Sequence, residues 1–278
     1  MNLKHLRETY HEGICQEILG YRSGVPNTAD ESSKSSIELA QGILTRMEFP
    51  PCREPPNGQR AEALLVSLTR DYLQQAFGLI EHLRPGSWVF STLENAPEFD
   101  QYEHLTDLAR VLSEKPSLPA TLWDHLIKPD IVVGRSPVSD QEVNQNANVL
   151  QGDIATLTHL RANNLSGSKP ILHATVSCKW RIRSDRGQTP RTEVLNLIRN
   201  RKGHVPHIVA VTAEPTPLRI AALALGTGDL DCVYHFALPE MKEAVLEIGN
   251  EDHGEMLNML IEGRRLRDIS DLPFDLAT

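Results

Sequence analysis

The sequence predicts an α/β protein in which helices flank a central mixed β-sheet. Segments with helical hydrophobic periodicity fill most of the first 128 residues, and short β-branched runs alternate with helices from residue 129 onward. The 278 residues, 40% of them hydrophobic, are enough for one large domain. We therefore expect a single domain, 1–278, with a helical N-terminal part, about 1–128, and an α/β core, about 129–278.

The first part of the chain carries four predicted helices. The first covers Ser35–Met47, and the proline-dense run that follows it, Glu48–Gln59, predicts a loop. Gln59–Leu83 predicts a long helix because its apolar residues form one stripe, and Glu62 lies beside that stripe at the start of the helix. The two shorter predicted helices are Asp100–Leu112 and Thr121–Ile127.

From residue 129 the pattern changes to short apolar runs separated by helices. Pro129 introduces the first predicted strand, and Thr189 with Pro190 supplies an N-cap and a proline at the first helical position. The predicted order is strand Asp130–Gly134, helix Asp153–Ala162, strand Ile171–Lys179, helix Thr189–Arg201, strand His207–Thr212, helix Pro217–Leu225 and strand Asp231–Ala237. This alternation is typical of an α/β core.

Composition argues against a membrane or disulfide-dependent protein. No stretch reaches the roughly 18 consecutive apolar residues of a membrane span, and the N-terminus lacks the apolar core of a signal peptide. The cysteines lie far apart and form no CxxC pair. We therefore expect a reduced, cytoplasmic protein.

Charge is distributed unevenly along the chain. The formal net charge is −9, but the window from Lys179 to His204 holds eight Lys or Arg and two acids, so it carries +6 while the remainder carries −15. A local basic stretch on an acidic protein suits a polyanion bound in one place, and a solvated helix face is the alternative.

Three residues on neighbouring predicted elements supply the groups that phosphodiester hydrolysis requires. Asp130 opens one strand, Lys179 ends the next, and Glu193 lies in the first turn of the following helix. Carboxylates hold a divalent metal ion that activates water, and a lysine offsets charge that develops at the phosphate. Each residue also has an ordinary structural interpretation, as a turn aspartate, a solvated strand-end lysine or a helix N-terminal acid. The three residues alone leave both interpretations open.

The spacing of these residues resembles a known arrangement. Pro129-Asp130, 46 residues, Ser177-Cys178-Lys179, 13 residues and Glu193 together resemble the rearranged active site of the CCGG family of type II restriction endonucleases, within the PD-(D/E)xK nuclease superfamily. There the second acid lies on the helix after the lysine. The segments Ser177–Leu238 and Arg264–Ala277 resemble the same family, and the similarity covers most of the chain.

The resemblance implies a prokaryotic enzyme with a restriction-endonuclease-like core and Mg²⁺-dependent hydrolysis of double-stranded DNA to 5′-phosphate products. It implies that Lys179 is the catalytic lysine and that two Mg²⁺ ions bind at each active site. The implied metal ligands are Asp130, the backbone carbonyl of Cys178, Glu193 and Glu62. In a regular strand Ser177 and Lys179 share one face, so the sulfur of Cys178 would point to the other.

The resemblance also implies which residues read the DNA sequence. The family uses the segment Arg183-Ser184-Asp185-Arg186 to read the CCGG core, and such residues suit this role because arginine donates two bonds to guanine while aspartate accepts one from cytosine. Arg219 matches the position that reads the outer base pair, which implies the site GCCGGC. The alternative for the four-residue segment is a solvated charged turn.

A palindromic site calls for at least a dimer, and the resemblance implies a homotetramer arranged as a dimer of dimers.

Two other functions remain as alternatives. A structure-selective repair nuclease would share the hydrolytic groups but read shape rather than base edges. A non-catalytic DNA-binding protein would share the fold but gain nothing from acids beside phosphates.

Overall fold

A six-stranded mixed sheet forms the centre of the computed structural model, which describes residues 2–106, 110–111, 114, 129–162, 168–182, 189–225 and 229–278, with only the backbone for 189–193. A separate hairpin joins β1 (Tyr21–Arg22) to β2 (Val25–Pro26). The sheet strands lie side by side in chain order: β3 (Trp88–Ser91), β4 (Ile131–Arg135), β5 (Ile171–Lys179), β6 (His207–Thr212), β7 (Cys232–His235) and β8 (Leu266–Asp268).

One strand of the sheet, β4, runs opposite to the other five. β4 pairs antiparallel with both β3 and β5, whereas β5, β6, β7 and β8 are mutually parallel. The four parallel strands are joined through helices, as parallel crossovers require. The predicted α/β class with a mixed sheet is therefore confirmed.

Helices cover both faces of this sheet. Their bounds are α1 (Leu3–Glu17), α2 (Lys34–Arg46), α3 (Gly58–Leu79), α4 (Asp140–Val143), α5 (Thr189–Asn200), α6 (Pro217–Ala224), α7 (Leu238–Ile248), α8 (Glu251–Glu262) and α9 (Leu272–Asp275). On one face α1 packs against α3, and α3 packs against β5. On the other, Val194 and Leu197 of α5 line a cavity with Thr175 and Ser177 of β5.

Side-chain caps fix where the N-terminal helices begin. Asn2, Ser33 and Asn57 each accept a hydrogen bond from the backbone N–H three residues later, which satisfies a donor that the first helical turn leaves free. The Asn57 cap starts α3 at Gly58, so Glu62 lies within the first two turns of that helix. The end of α3 lies earlier than predicted, because Leu79 is followed by a separate 3₁₀ turn, Glu81–Leu83.

Two other predicted helices differ from the structure over the residues that it describes. Asp153–Ala162 is not helical: it consists of bends and turns, Ala155 has a positive φ of 50°, and Leu157 remains 92% exposed, so the apolar residues never form a buried stripe. Asp100–Leu105 is a 3₁₀ helix, and the rest of the predicted Asp100–Leu112 helix lies largely outside the described residues. The predicted helix Thr121–Ile127 lies wholly outside them.

The sequence patterns missed the two edge strands of the sheet. β3 and β8 are four and three residues long, and neither shows clear alternation of apolar and polar residues. β3 brings a segment of the N-terminal part into the same sheet as β4.

Across the described residues, the structure contains no helix of the length and hydrophobicity needed to cross a membrane.

A largely buried charge network fixes α1 to the sheet. The Arg7 guanidinium donates two hydrogen bonds to Glu240 of α7, at 2.8 and 3.0 Å, and two to Asp268 of β8, both at 2.9 Å. Burial opposes ionisation of both carboxyls, but Arg7 outweighs it and holds their pKa values below the usual range. These bonds join three elements that are distant in the sequence.

Replacing Arg7 with Met should lower the free energy of unfolding by about 3 kcal/mol, because it leaves two largely buried carboxylates without their partner. Urea unfolding followed by circular dichroism measures this. Arg7 depresses both carboxyl pKa values in the folded state, so its contribution is complete above the usual values of 4.5 and 3.8 and is lost as the pH falls below them. The control is Lys4→Met, because Lys4 is exposed and lies 3.8 Å from Glu8. Equal unfolding free energies for the two variants at neutral pH would contradict this prediction.

Candidate active site

The first residues of β4 and the last residues of β5 lie at the same edge of the sheet, because these strands are antiparallel. Their pairing ends at Ile131 and Val176. β5 continues beyond that point through Ser177, Cys178 and Lys179, which pair only with β6 on the other side. This edge therefore exposes polar backbone groups of β5 towards the residue that precedes β4.

Asp130 is that residue, and its carboxylate binds the extension of β5. Oδ2 accepts the Cys178 N–H at 2.8 Å and the Ser177 hydroxyl at 3.3 Å. The aspartate thus takes the place of a strand partner and satisfies a backbone donor that would otherwise be unpaired.

Lys179 joins Asp130 to a second acid, Glu62 of α3. Its ammonium donates to Glu62 Oε1 at 3.0 Å and lies 3.5 Å from Asp130 Oδ2. Burial by itself would lower the pKa of Lys179, but the two carboxylates outweigh burial and raise it above its usual value. The lysine is therefore a firmly charged donor between two acids that lie far apart in the sequence.

Cys178 presents its sulfur and its backbone to different surroundings. The thiol is fully buried on the face that packs against Thr69 of α3, and burial raises its pKa well above the usual value. The N–H points at Asp130, and in an extended strand the carbonyl of the same residue points to the same side. The carbonyl oxygen, rather than the sulfur, thus lies on the side of the site.

Glu193 lies in α5, and only its backbone is described. The next residue, Val194, lines a cavity together with Asp130, Ser177 and Lys179. The helix therefore passes beside Asp130 and Lys179. The DNA-reading candidates Arg183, Ser184, Asp185 and Arg186 lie outside the described residues.

Arg219 lies in the first turn of α6 and forms an ion pair with Asp30. That hydrogen bond is the largest of several effects that hold the pKa of Asp30 well below its usual range. Asp30 was absent from the predicted site, since nothing in the local pattern around it distinguishes it from an ordinary loop aspartate. Both side chains are about 30% exposed, at 32% and 29%, so the pair borders solvent.

The loop that carries Asp30 is attached to the residues just after Lys179. Trp180 Nε1 donates to the carbonyl of Asn27 at 3.3 Å, and Arg181 donates to the carbonyl of Ala29 at 2.7 Å. The chain around Asp30 is therefore bonded to the residues after β5 and, through Arg219, to the start of α6. Sequence reasoning placed only the end of β5 and Arg219 at the site.

The donor atoms at this edge suit a hard divalent cation. Asp130 and Glu62 supply carboxylate oxygens, and Cys178 supplies a carbonyl oxygen. Mg²⁺ typically binds one or two carboxylates together with water and substrate phosphates. Among the side chains that the structure describes, no group of three or more His, Cys, Asp or Glu is arranged as a complete metal cage. The side chain of Glu193, water or phosphate oxygens would have to complete such a shell.

Three features define the restriction-endonuclease-like class: a mixed sheet between helices, an aspartate at an open strand edge, and a lysine on the adjacent strand. The model of the NgoMIV restriction enzyme family matches residues 10–278. The chain is also 46% identical over 280 residues to the type II restriction enzyme NgoMIV of Neisseria gonorrhoeae, covering 98% of this chain and 97% of that protein.

The chain belongs to the NgoMIV restriction enzyme family. It is accordingly a type II restriction enzyme, that is, a site-specific deoxyribonuclease. Enzymes of this type generally use a divalent metal ion.

Replacing Glu62 with Gln should lower the pKa of the Lys179 ammonium, because one of the two carboxylates that oppose the effect of burial is removed. An NMR titration of the lysine side chain in the metal-free protein measures this. Glu38→Gln is the control, since Glu38 pairs with Lys34 on α2. A Lys179 pKa that is the same in Glu62→Gln as in the unmodified protein would contradict the proposed charge balance.

Proposed function

We propose that this enzyme hydrolyses double-stranded DNA at the palindrome GCCGGC in a Mg²⁺-dependent reaction that leaves 5′-phosphates. The observation that carries this proposal is the Lys179 ammonium, held between Asp130 and Glu62 at an open strand edge. Hydrolysis of a phosphodiester requires carboxylates that bind a metal ion and a charged donor that offsets negative charge at the phosphate, and this edge has both.

Asp130, the Cys178 carbonyl, Glu193 and Glu62 would hold Mg²⁺, with two ions at each active site. Bound Mg²⁺ supplies charge neutralisation at the phosphate and a more acidic water. Lys179 donates a hydrogen bond to the phosphate or to the attacking water, which offsets negative charge as it develops. Asp130 has a second task, because its bond to the Cys178 N–H fixes the direction of the Cys178 carbonyl.

Sequence reading is assigned to groups next to this edge. Arg183, Ser184, Asp185 and Arg186 would contact the CCGG core, because they follow Lys179 by only a few residues within the basic window. Arg219 would contact the outer base pair, and its position at the solvent boundary beside Asp30 supports this role. In free enzyme the Asp30 carboxylate orients the Arg219 guanidinium.

The enzyme would act as a homotetramer arranged as a dimer of dimers. A palindrome presents the same contacts on both strands, so two copies related by a twofold axis suffice for one site. The tetramer follows from the resemblance to the CCGG family. We also retain the view that 1–278 forms one domain with its N-terminal helices, because β3 from the first part pairs with β4.

Incubation of the enzyme with a plasmid that carries several GCCGGC sites should yield discrete fragments with Mg²⁺ and none in EDTA.

Asp130→Asn should reduce the cleavage rate by roughly 10²–10³-fold or more, because the charge is lost while an oxygen remains to accept the Cys178 N–H. Binding of the same variant to a short duplex in Ca²⁺ should change little. Asp140→Asn is the control, since this exposed carboxylate pairs with Arg161.

The outcomes separate the alternatives. Discrete fragments that map to another sequence would overturn the GCCGGC assignment alone. Cleavage that depends on DNA shape rather than sequence would support a repair nuclease. Tight binding without cleavage would support a non-catalytic protein, and full activity of Asp130→Asn would overturn its role as a metal ligand.

Arg219→Ala should reduce discrimination at the outer base pair by about 1–3 kcal/mol and leave the CCGG core discrimination nearly unchanged. The measurement is kcat/KM on the intact site and on single-base variants of it. Arg46→Ala is the matched control, because this arginine pairs with Glu243 and Glu247 on α7. An equal loss on every sequence would mean that Arg219 contacts only phosphate.

A further inference from the structure

Glu214 is a fully buried carboxylate that follows the end of β6 and is not one of the predicted site residues. Its exposed fraction is 0%. One carboxylate oxygen accepts the Ile182 N–H at 3.0 Å, and the other accepts the Thr216 N–H at 3.2 Å. One side chain therefore accepts hydrogen bonds from two separate backbone segments, one that follows β5 and one that precedes α6.

The two segments are those that lead to the proposed DNA-reading residues. Ile182 directly precedes Arg183, the first residue of the segment assigned to the CCGG core. Thr216 directly precedes α6, whose first turn carries Arg219. A carboxylate bonded to both N–H groups fixes the positions from which these two groups of side chains extend.

Glu214 is itself fixed relative to Lys179. The hydroxyl of Thr212 accepts the Glu214 N–H at 3.1 Å and donates to the carbonyl of Lys179 at 2.8 Å. The Ala213 N–H donates to that same carbonyl at 3.2 Å. The backbone that carries Glu214 is therefore joined to the backbone of the proposed catalytic lysine.

A carboxylate at this position is costly, which argues for a specific role. Burial raises the pKa of Glu214 above its usual value, although the two backbone N–H groups oppose that effect. Burying a charge adds little to stability compared with an apolar residue of similar size. Two backbone N–H groups from different segments nevertheless donate to this one side chain, and a carboxylate provides an acceptor oxygen for each.

We propose that Glu214 is a positioning residue for sequence recognition, which holds the Ile182 segment and the Thr216 segment in one fixed arrangement beside Lys179. The inference rests on the proposed function, since it assumes that both segments lead to DNA-reading residues. It predicts that discrimination at the core and at the outer base pair depends on the same buried side chain.

The test compares Glu214→Gln with Asp231→Asn as a matched control. Gln keeps the size of Glu but has one oxygen, so its NH₂ group must face either the Ile182 or the Thr216 N–H. Asp231 accepts the Ile208 N–H at 2.8 Å, and Ile208 lies at the opposite end of β6 from Glu214. For each protein, kcat/KM is measured on the mapped cognate site, on one core variant and on one outer variant.

We expect Glu214→Gln to lose roughly 10-fold in discrimination at both the core and the outer position, the lower end of the range for one misplaced bidentate contact. Asp231→Asn should keep both ratios. A Glu214→Gln enzyme that slows equally on all three sites, with unchanged ratios, would overturn the inference while leaving the proposed function intact. Failure of the unmodified enzyme to cut any specific sequence would instead overturn the proposed function.

A measurement on the unmodified enzyme covers the case in which Glu214→Gln does not fold. Hydrogen exchange at the Ile182 and Thr216 amides is compared in complexes with cognate DNA and with the outer-base variant. Coupling through Glu214 predicts that the outer substitution accelerates exchange at both amides, by several-fold each. Acceleration at Thr216 alone would overturn the inference.

Discussion

The Asp130 carboxylate occupies the place where a further residue of β4 would pair with β5. By accepting the Cys178 N–H, it ends the β4–β5 ladder and leaves the last three residues of β5 free to face the site on that side. The consequence extends to each neighbour. The Cys178 carbonyl must point to the same side as its N–H, and Lys179 then emerges on the face opposite the Cys178 thiol. One strand-edge hydrogen bond thus determines which atoms of three consecutive residues reach the site.

Electrostatics then determines the state of the site without a ligand. Two carboxylates close to one ammonium leave a net negative charge, which favours binding of a divalent cation. The charged lysine offsets the repulsion between the two acids. A polyanion approaching this edge would meet an acidic pair, so its binding depends on cations and on the basic window after Lys179. This explains how a chain of net charge −9 can act on DNA: the attraction is local, and the acidic remainder limits binding elsewhere.

How much of this the sequence could predict depends on the range over which each signal acts. Asp130 and the end of β5 could be placed together because strand patterns are local and the two strands pair directly. Asp153–Ala162 was wrongly predicted as a helix, because apolar spacing alone cannot tell whether a surface exists to cover it. Asp30 and Glu214 could not be found at all, since their partners lie 189 and 32 residues away and only the folded chain brings them together. Glu62 was placed only through the family resemblance.

A chain of hydrogen bonds around Lys179 connects the proposed catalytic lysine to the proposed DNA-reading segments. The Thr212 hydroxyl donates to the Lys179 carbonyl, the Glu214 N–H donates to Thr212, and the Glu214 carboxylate accepts from the Ile182 and Thr216 N–H groups, which lead to the proposed reading residues. Each link is a hydrogen bond of 2.8 to 3.2 Å between buried or half-buried groups, so a displacement of either segment must strain the others rather than be absorbed by solvent. On the proposed function, a base contact that is misplaced at one end would therefore alter the position of Lys179 at the other. A site built on strand ends and buried bonds, rather than on independent loops, favours cleavage only where all the contacts fit at once.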